Sequence, residues 1–191
     1  PQAVISAWAP AAAGTRLVTG TLDGGGVGFN EDEAILQVQN VDLADGSLRV
    51  SKEIRVNSAR FAALRWGGLA DDTIAAGMTD GAVRLWTYQR DNLREAATLQ
   101  VHEKGTTVRA LSFNPSVKTL LAHGGADKRV LITDLATGAP STTSVTEGSA
   151  QHVGEISSIA WNYETPHILS SASMDGVCSV WDTRSRKSFS D

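Results

Sequence analysis

Cysteine is almost missing from this chain: Cys178 is the only one in 191 residues, so no internal disulfide can form. No Asn-x-Ser/Thr glycosylation sequon is present either, and both absences fit a reducing compartment such as the cytosol. A basic excess is lacking too. Lys and Arg number 17 against 21 Asp and Glu, for a net charge of −4. That balance argues against a generic nucleic-acid or anionic-membrane binder, which needs cations to neutralise phosphates. No apolar run approaches the ~20 residues that cross a bilayer as a helix. The opening PQAVISAWAP has no basic n-region of a signal peptide and no initiator methionine, so the chain is expected to begin inside a longer protein. No stretch sustains a 3.6-residue apolar period over helical length, which leaves strands to build the fold.

What is present is an ordinary globular composition, 41% hydrophobic and 20% charged, in a chain long enough to bury a real core. Its five tryptophans fall at two recurring places. Trp8, Trp66 and Trp161 close short apolar runs, Phe113 stands where a fourth member belongs, and Trp86 and Trp181 end later runs. From the first set an aspartate follows at a near-constant distance: 15 residues from Trp8 to Asp23, and 14 from Trp66 to Asp80, Phe113 to Asp127 and Trp161 to Asp175. Successive aspartates are 57, 47 and 48 residues apart. Four units at this spacing are an internal repeat, which takes precedence over local structure in assigning a fold.

Each unit reads as strands. FAALRW (61–66), VRALSF (108–113) and ISSIAW (156–161) share one apolar and aromatic spacing. A turn-rich stretch follows, then a small-residue strand that leads to the aspartate, as in TIAAGMTD, LLAHGGAD and ILSSASMD. Asp-Gly at 23–24, 80–81 and 175–176 is a hairpin signal because glycine accepts positive φ. A β-branched and aromatic strand comes next: AVRLW, RVLIT or VCSVW. Short strands, hairpin turns and this period predict propeller blades of four strands each.

These motifs resemble the WD-repeat family throughout the chain, and the fourth unit is the best match. The resemblance implies an all-β WD-repeat propeller: four consecutive four-stranded antiparallel blades of a seven-bladed whole. The expected blades span approximately 1–56, 57–101, 102–150 and 151–191. In that family a His, a Ser or Thr, an Asp and a Trp form a hydrogen-bonded ladder, which here implies His152, Ser171, Asp175 and Trp181. The other units depart from it. Unit two keeps Asp80 and Trp86 but has Ala76 at the hydroxyl position and no matching histidine. Unit three has His102 and Asp127, with His123 and Thr133 where Ser and Trp are expected. Unit one keeps Thr19 and Asp23, then inserts GGGVGFNEDEA (24–34). The full ladder is therefore expected in the fourth blade alone.

Ser171, His152 and Asp175 also have the residue types of a hydrolytic triad, but their spacing is that of the ladder, and no nucleophile elbow accompanies them. The glycine run 24–28 has Phe29 where a dinucleotide fingerprint needs glycine, and no lysine or helix follows. The four histidines show no metal-ligand spacing, and Cys178 reads as a small apolar filler on a strand. No catalytic residue, metal or cofactor is expected. Glu31, Asp32 and Glu33 form an acidic tip on the unit-one insertion, and Arg184, Arg186 and Lys187 a basic patch after Trp181. Each reads first as a solvated loop. The functional alternative is that the lengthened 24–34 loop contacts a partner protein.

Four blades leave a circle unfinished, so the chain is expected to be part of a longer propeller, or to self-associate through open propeller edges. The order AW, VTGTLDG, RWGG, IAAGMTDGAVRLW, with ISSIAWN, HILSSAS and SVWDTRSRK in the fourth unit, resembles the larger WD-repeat subunit of the COPII vesicle outer coat. That resemblance implies a cage-building scaffold for vesicle budding, on the cytosolic face of the endoplasmic reticulum. Its partners would be other coat subunits, a smaller WD-repeat propeller subunit among them, with no nucleic acid and no direct membrane insertion. Two rival readings stay open at this level. One is a WD-repeat adaptor of another pathway, such as a ubiquitin-ligase substrate receptor or a nuclear-pore component. The other is a hydrolytic propeller enzyme.

Overall fold

A computed structural model of the chain describes residues 4–21, 33–57, 59–136, 141–145, 152–185 and 187–188. Asp23, Glu31 and Asp32 lie outside the described residues, and only the backbone of Glu33 is described.

Alternating apolar residues make short strands here, and turn residues fold each strand back onto its predecessor. The first sheet consists of β1 (Val4–Trp8), β2 (Arg16–Thr21), β3 (Glu33–Val41) and β4 (Leu48–Asn57). The second consists of β5 (Phe61–Gly67), β6 (Thr73–Met78), β7 (Ala82–Gln89) and β8 (Asn92–Gln100). In the third are β9 (Val108–Phe113), β10 (Leu120–Gly125), β11 (Val130–Asp134) and β12 (Ser141–Ser144). The fourth has β13 (Ile156–Trp161), β14 (Ile168–Ser173), β15 (Cys178–Asp182) and the two-residue β16 (Lys187–Ser188). Every sheet is an antiparallel meander in sequence order, so each is one blade of a propeller. The first strands of successive blades pack against one another: β1 on β5, β5 on β9 and β9 on β13.

The core lies between blades. One apolar cluster joins blades one and two through Val18, Leu36, Phe61 and Trp86. A second joins blades two and three through Val83, Leu85, Val108 and Leu111. The third joins blades three and four through Ala122, Val130, Ile156 and Trp181. A middle strand such as β6 is buried at every residue because both of its faces are covered, whereas the outer strand β8 is mostly exposed. The close approach has a sequence cause at the equivalent positions Gly77 and Gly124. A Cβ on Gly77 would lie 2.3 Å from the Val108 carbonyl oxygen, and one on Gly124 would lie 2.7 Å from Ile156. Any larger residue would hold the next blade away.

Polar links complete the blade boundaries. Arg109 pairs with Glu155 at 3.1 Å, and Lys118 with Asp71 at 2.8 Å. Ser51 and Tyr88 share a hydrogen bond of 2.9 Å, and Trp161 donates its indole N–H to the Ser112 carbonyl at 3.0 Å.

Two positions depart from the sequence pattern. Trp8, which closes its run as Trp66 and Trp161 close theirs, is 59% exposed. Its counterpart Trp161 shows why, because that ring packs and bonds back onto the preceding blade. No described sheet covers Trp8 from that side. Cys178 is exposed rather than a core filler. It shares the outer face of β15 with Val180, while the opposite face, Ser179 and Trp181, is buried.

Candidate functional site

The polar residues singled out in the sequence converge inside the blades. In blade four, the β14–β15 turn places Asp175 beneath His152, which lies in the segment leading to β13. His152 Nδ1 lies 3.3 Å from Asp175 Oδ2, and its Nε2 lies 2.7 Å from Ser171 Oγ on β14. Trp181 on β15 donates its indole N–H to the same hydroxyl at 2.8 Å. Asp175 also accepts backbone N–H bonds from Val153, Gly154 and Val177. Desolvation pushes its carboxyl up, but these donors and the Ser173 hydroxyl outweigh it and hold Asp175 at about 2. The Ser–His–Asp geometry is that of a triad, yet Ser171 is 1% exposed and already holds the Trp181 indole. Its hydroxyl offers no face to a substrate.

The expectation of a complete ladder in blade four alone is also corrected. Blade three holds a longer one. His102 Nδ1 lies 2.8 Å from the Asp127 carboxylate, and His102 Nε2 lies 2.9 Å from His123 Nδ1. His123 Nε2 lies 2.8 Å from Thr133 Oγ1, which lies 2.8 Å from Thr142 Oγ1 on the outer strand. His123 and Thr133, which read as losses, are replacements: the second imidazole takes the hydroxyl position and a hydroxyl takes the indole position. Burial is the largest influence on His123 and lowers its pKa well below the ordinary value, and the adjacent His102 adds to that. Asp127 is also lowered: desolvation raises it, but the His102 hydrogen bond and charge and the Arg129 amide prevail.

Blades one and two show two further solutions that sequence reasoning missed. Gln39 stands on β3 where β15 has Trp181, and donates to Thr19 Oγ1 at 3.2 Å. Counting along the third strand would have found it, but the insertion at 24–34 hides where that strand begins. In blade two, Arg84 occupies the strand position opposite Ala76 and lies 3.4 Å from Asp80, supplying the carboxylate partner that no histidine provides. Ala76 has no hydroxyl, so the buried indole N–H of Trp86 is left without an acceptor. The other aromatics of the first set also find places: Trp66 and Trp161 are buried at the ends of their first strands, and Phe113 packs on Gly67 and Gly68 of blade two.

The surface features give less. Arg184 of the basic patch is engaged by Asp182 at 2.7 Å, so its charge is locally neutralised. An open groove on blade one is lined by Thr15, Asn40, Val41, Asp42, Leu43 and Arg49, a set that the sequence did not mark. Among the described residues no cluster of His, Cys, Asp and Glu is arranged to hold a metal, and no helix is long and apolar enough to cross a membrane.

Comparison with known proteins bears on this arrangement. The family described as WD domain, G-beta repeat matches residues 94–134 and 144–182, the stretches that hold most of the two continuous ladders. Protein transport protein Sec31B of Mus musculus is 34% identical over 94% of this chain, and protein transport protein SEC31 of Coccidioides immitis is 29% identical over 98%. The chain spans only 16% and 15% of those proteins' lengths, respectively. A solved structure titled "COPII on membranes, outer coat vertex" superposes with a TM-score of 0.78 at 23% identity, over 98% of this chain and 49% of that one. At that identity the superposition speaks for the fold, and the fold, the repeat and the sequence similarity agree. The chain carries WD repeats in a β-propeller fold and is similar along nearly its whole length to the Sec31 proteins.

Proposed function

We propose that this chain is the propeller scaffold of a COPII outer-coat subunit, building the cage for vesicle budding on the cytosolic face of the endoplasmic reticulum. The observation that carries the reading is the similarity to Sec31 proteins, which runs through all four blades. The physical character of the chain supports it. Apolar clusters and polar links at each blade boundary make a stiff body. A stiff body holds its contact surfaces at fixed angles, and many weak contacts between copies then add by avidity. The role is structural rather than catalytic: the triad-like residues are consumed by the ladder. The partners in this reading are other coat subunits, including a smaller WD-repeat propeller subunit, with no nucleic acid and no insertion into lipid. Self-association through open propeller edges belongs to the same proposal. So does partner binding through Glu31, Asp32 and Glu33 by the 24–34 insertion, whose last two residues begin β3.

Reconstitution on liposomes tests it. Removing these 191 residues from the parent protein is expected to leave recruitment intact while abolishing closed cages. Cages that form equally well without the segment would overturn the reading.

A further inference from the structure

Hydrogen counting separates the two ladders. In blade four the chain of bonds ends on an indole, which can only donate. Ser171 Oγ therefore accepts from Trp181 and gives its own proton to His152 Nε2, while His152 Nδ1–H points to Asp175. One direction satisfies every group. A proton added to His152 Nε2 would force the Ser171 hydroxyl to turn away and find another acceptor.

Blade three ends on a hydroxyl that can both donate and accept. With both rings neutral, His102 Nδ1–H donates to Asp127, His123 Nδ1–H to His102 Nε2, Thr133 to His123 Nε2, and Thr142 to Thr133. Now add one proton to the pair. His102 carries N–H on both nitrogens, donating to Asp127 and to His123 Nδ1. His123 becomes the opposite neutral tautomer and donates Nε2–H to Thr133. Thr133 turns its proton to Thr142, whose exposed hydroxyl turns to water. No link is lost. A second proton is different, because it points two N–H groups at each other across 2.9 Å.

We propose that the His102–His123 pair is a buried acceptor for a single proton, which it takes up by reversing the hydrogen-bonded chain from His102 to Thr142. Few other charges face it. Asp127 flanks His102, and Arg129, in the turn before β11, opposes a charge on His123. Glu103 and Lys104 of the incoming segment are exposed. Arg109 of β9 is neutralised by Glu155, and Asp80 across the blade boundary is engaged by Arg84. β10 has no other titratable residue and β12 has none. His102 also donates its backbone N–H to Gly81 of blade two, so the protonation step is felt where the two blades join.

The chain has four histidines, so 15N-labelled imidazole spectra of the whole chain can be assigned by single His→Gln substitutions. At about pH 8, His102 and His123 are both expected as Nδ1–H tautomers, and on titration to about pH 4 His102 becomes imidazolium. Over the same step His123 switches to the Nε2–H tautomer without gaining charge, and far-UV circular dichroism stays constant. Thr133→Val removes the group that must turn, and is expected to move uptake down by about one pH unit, a tenfold weakening. Thr142→Val, whose role water can fill, leaves the midpoint in place. The proposal fails if His123 keeps one tautomer throughout, if both rings become imidazolium in the folded chain, or if the fold collapses before the pair takes up a proton. The wild-type titration decides alone should Thr133→Val not fold.

Discussion

Thr133 holds its hydroxyl 2.8 Å from His123 Nε2, at the strand position where blade four presents the indole of Trp181. The exchange of a donor-only ring for a hydroxyl changes what the blade can do with a proton, while the backbone register around it is unchanged. The same position holds Gln39 in blade one and Trp86 in blade two. One fold thus satisfies its buried polar groups in four different ways, and in blades one and two incompletely.

Trp86 and Trp181 are both fully buried, but only Trp181 has a partner for its N–H. Trp181→Phe is expected to cost about 1–2 kcal/mol more than Trp86→Phe, because it also strips the Ser171 hydroxyl of its donor. Ala76→Ser, which offers Trp86 an acceptor, should recover about 1 kcal/mol. Urea denaturation of the three variants measures this, and equal costs for the two phenylalanine variants would show that the indole bond contributes nothing.

Lys128 takes a positive φ of 68° where the corresponding turns use Gly81 and Gly176, at 89° and 82°. A left-handed conformation costs an L-residue roughly 1–2 kcal/mol, and glycine returns roughly half of that gain through its freer unfolded state. Lys128→Gly is therefore expected to stabilise the chain by about 0.5–1 kcal/mol. A higher thermal midpoint checks it; an unchanged or lower one contradicts it.

Asp175 is held at about 2, below its ordinary 3.8. A depressed folded-state pKa means that its ionisation supports the fold above pH 3.8, and that the support is lost as pH falls toward about 2. The stability difference between the wild-type chain and Asp175→Asn should therefore be full at neutral pH and shrink through this window. Denaturation midpoints measured across it give the answer. A gap that does not change with pH would assign the role of Asp175 to shape rather than charge.

Much of this architecture is written in local pattern. The aromatic-to-aspartate spacing announced four units, as many as there are sheets, and Ser171, Asp175 and Trp181 were legible because two adjacent strands and the turn between them hold all three. His123 was misread for the opposite reason: its partner His102 arrives from the segment before β9, and no local pattern marks an imidazole as another imidazole's acceptor. Arg84 looked like an ordinary strand residue until its cross-strand neighbour proved to be Ala76, with room for a guanidinium beside Asp80.

By itself the sequence determined the repeat, the strands and the turns, because these depend on neighbours along the chain: β-branched and aromatic alternation, Asp-Gly turns, glycine where backbones meet. Only the tertiary structure decided that Trp8 and Cys178 are exposed and that blade three carries a second ladder. Burial and hydrogen-bond partnership depend on atoms supplied by another strand or another blade, and one-dimensional spacing does not state which of those atoms will be there.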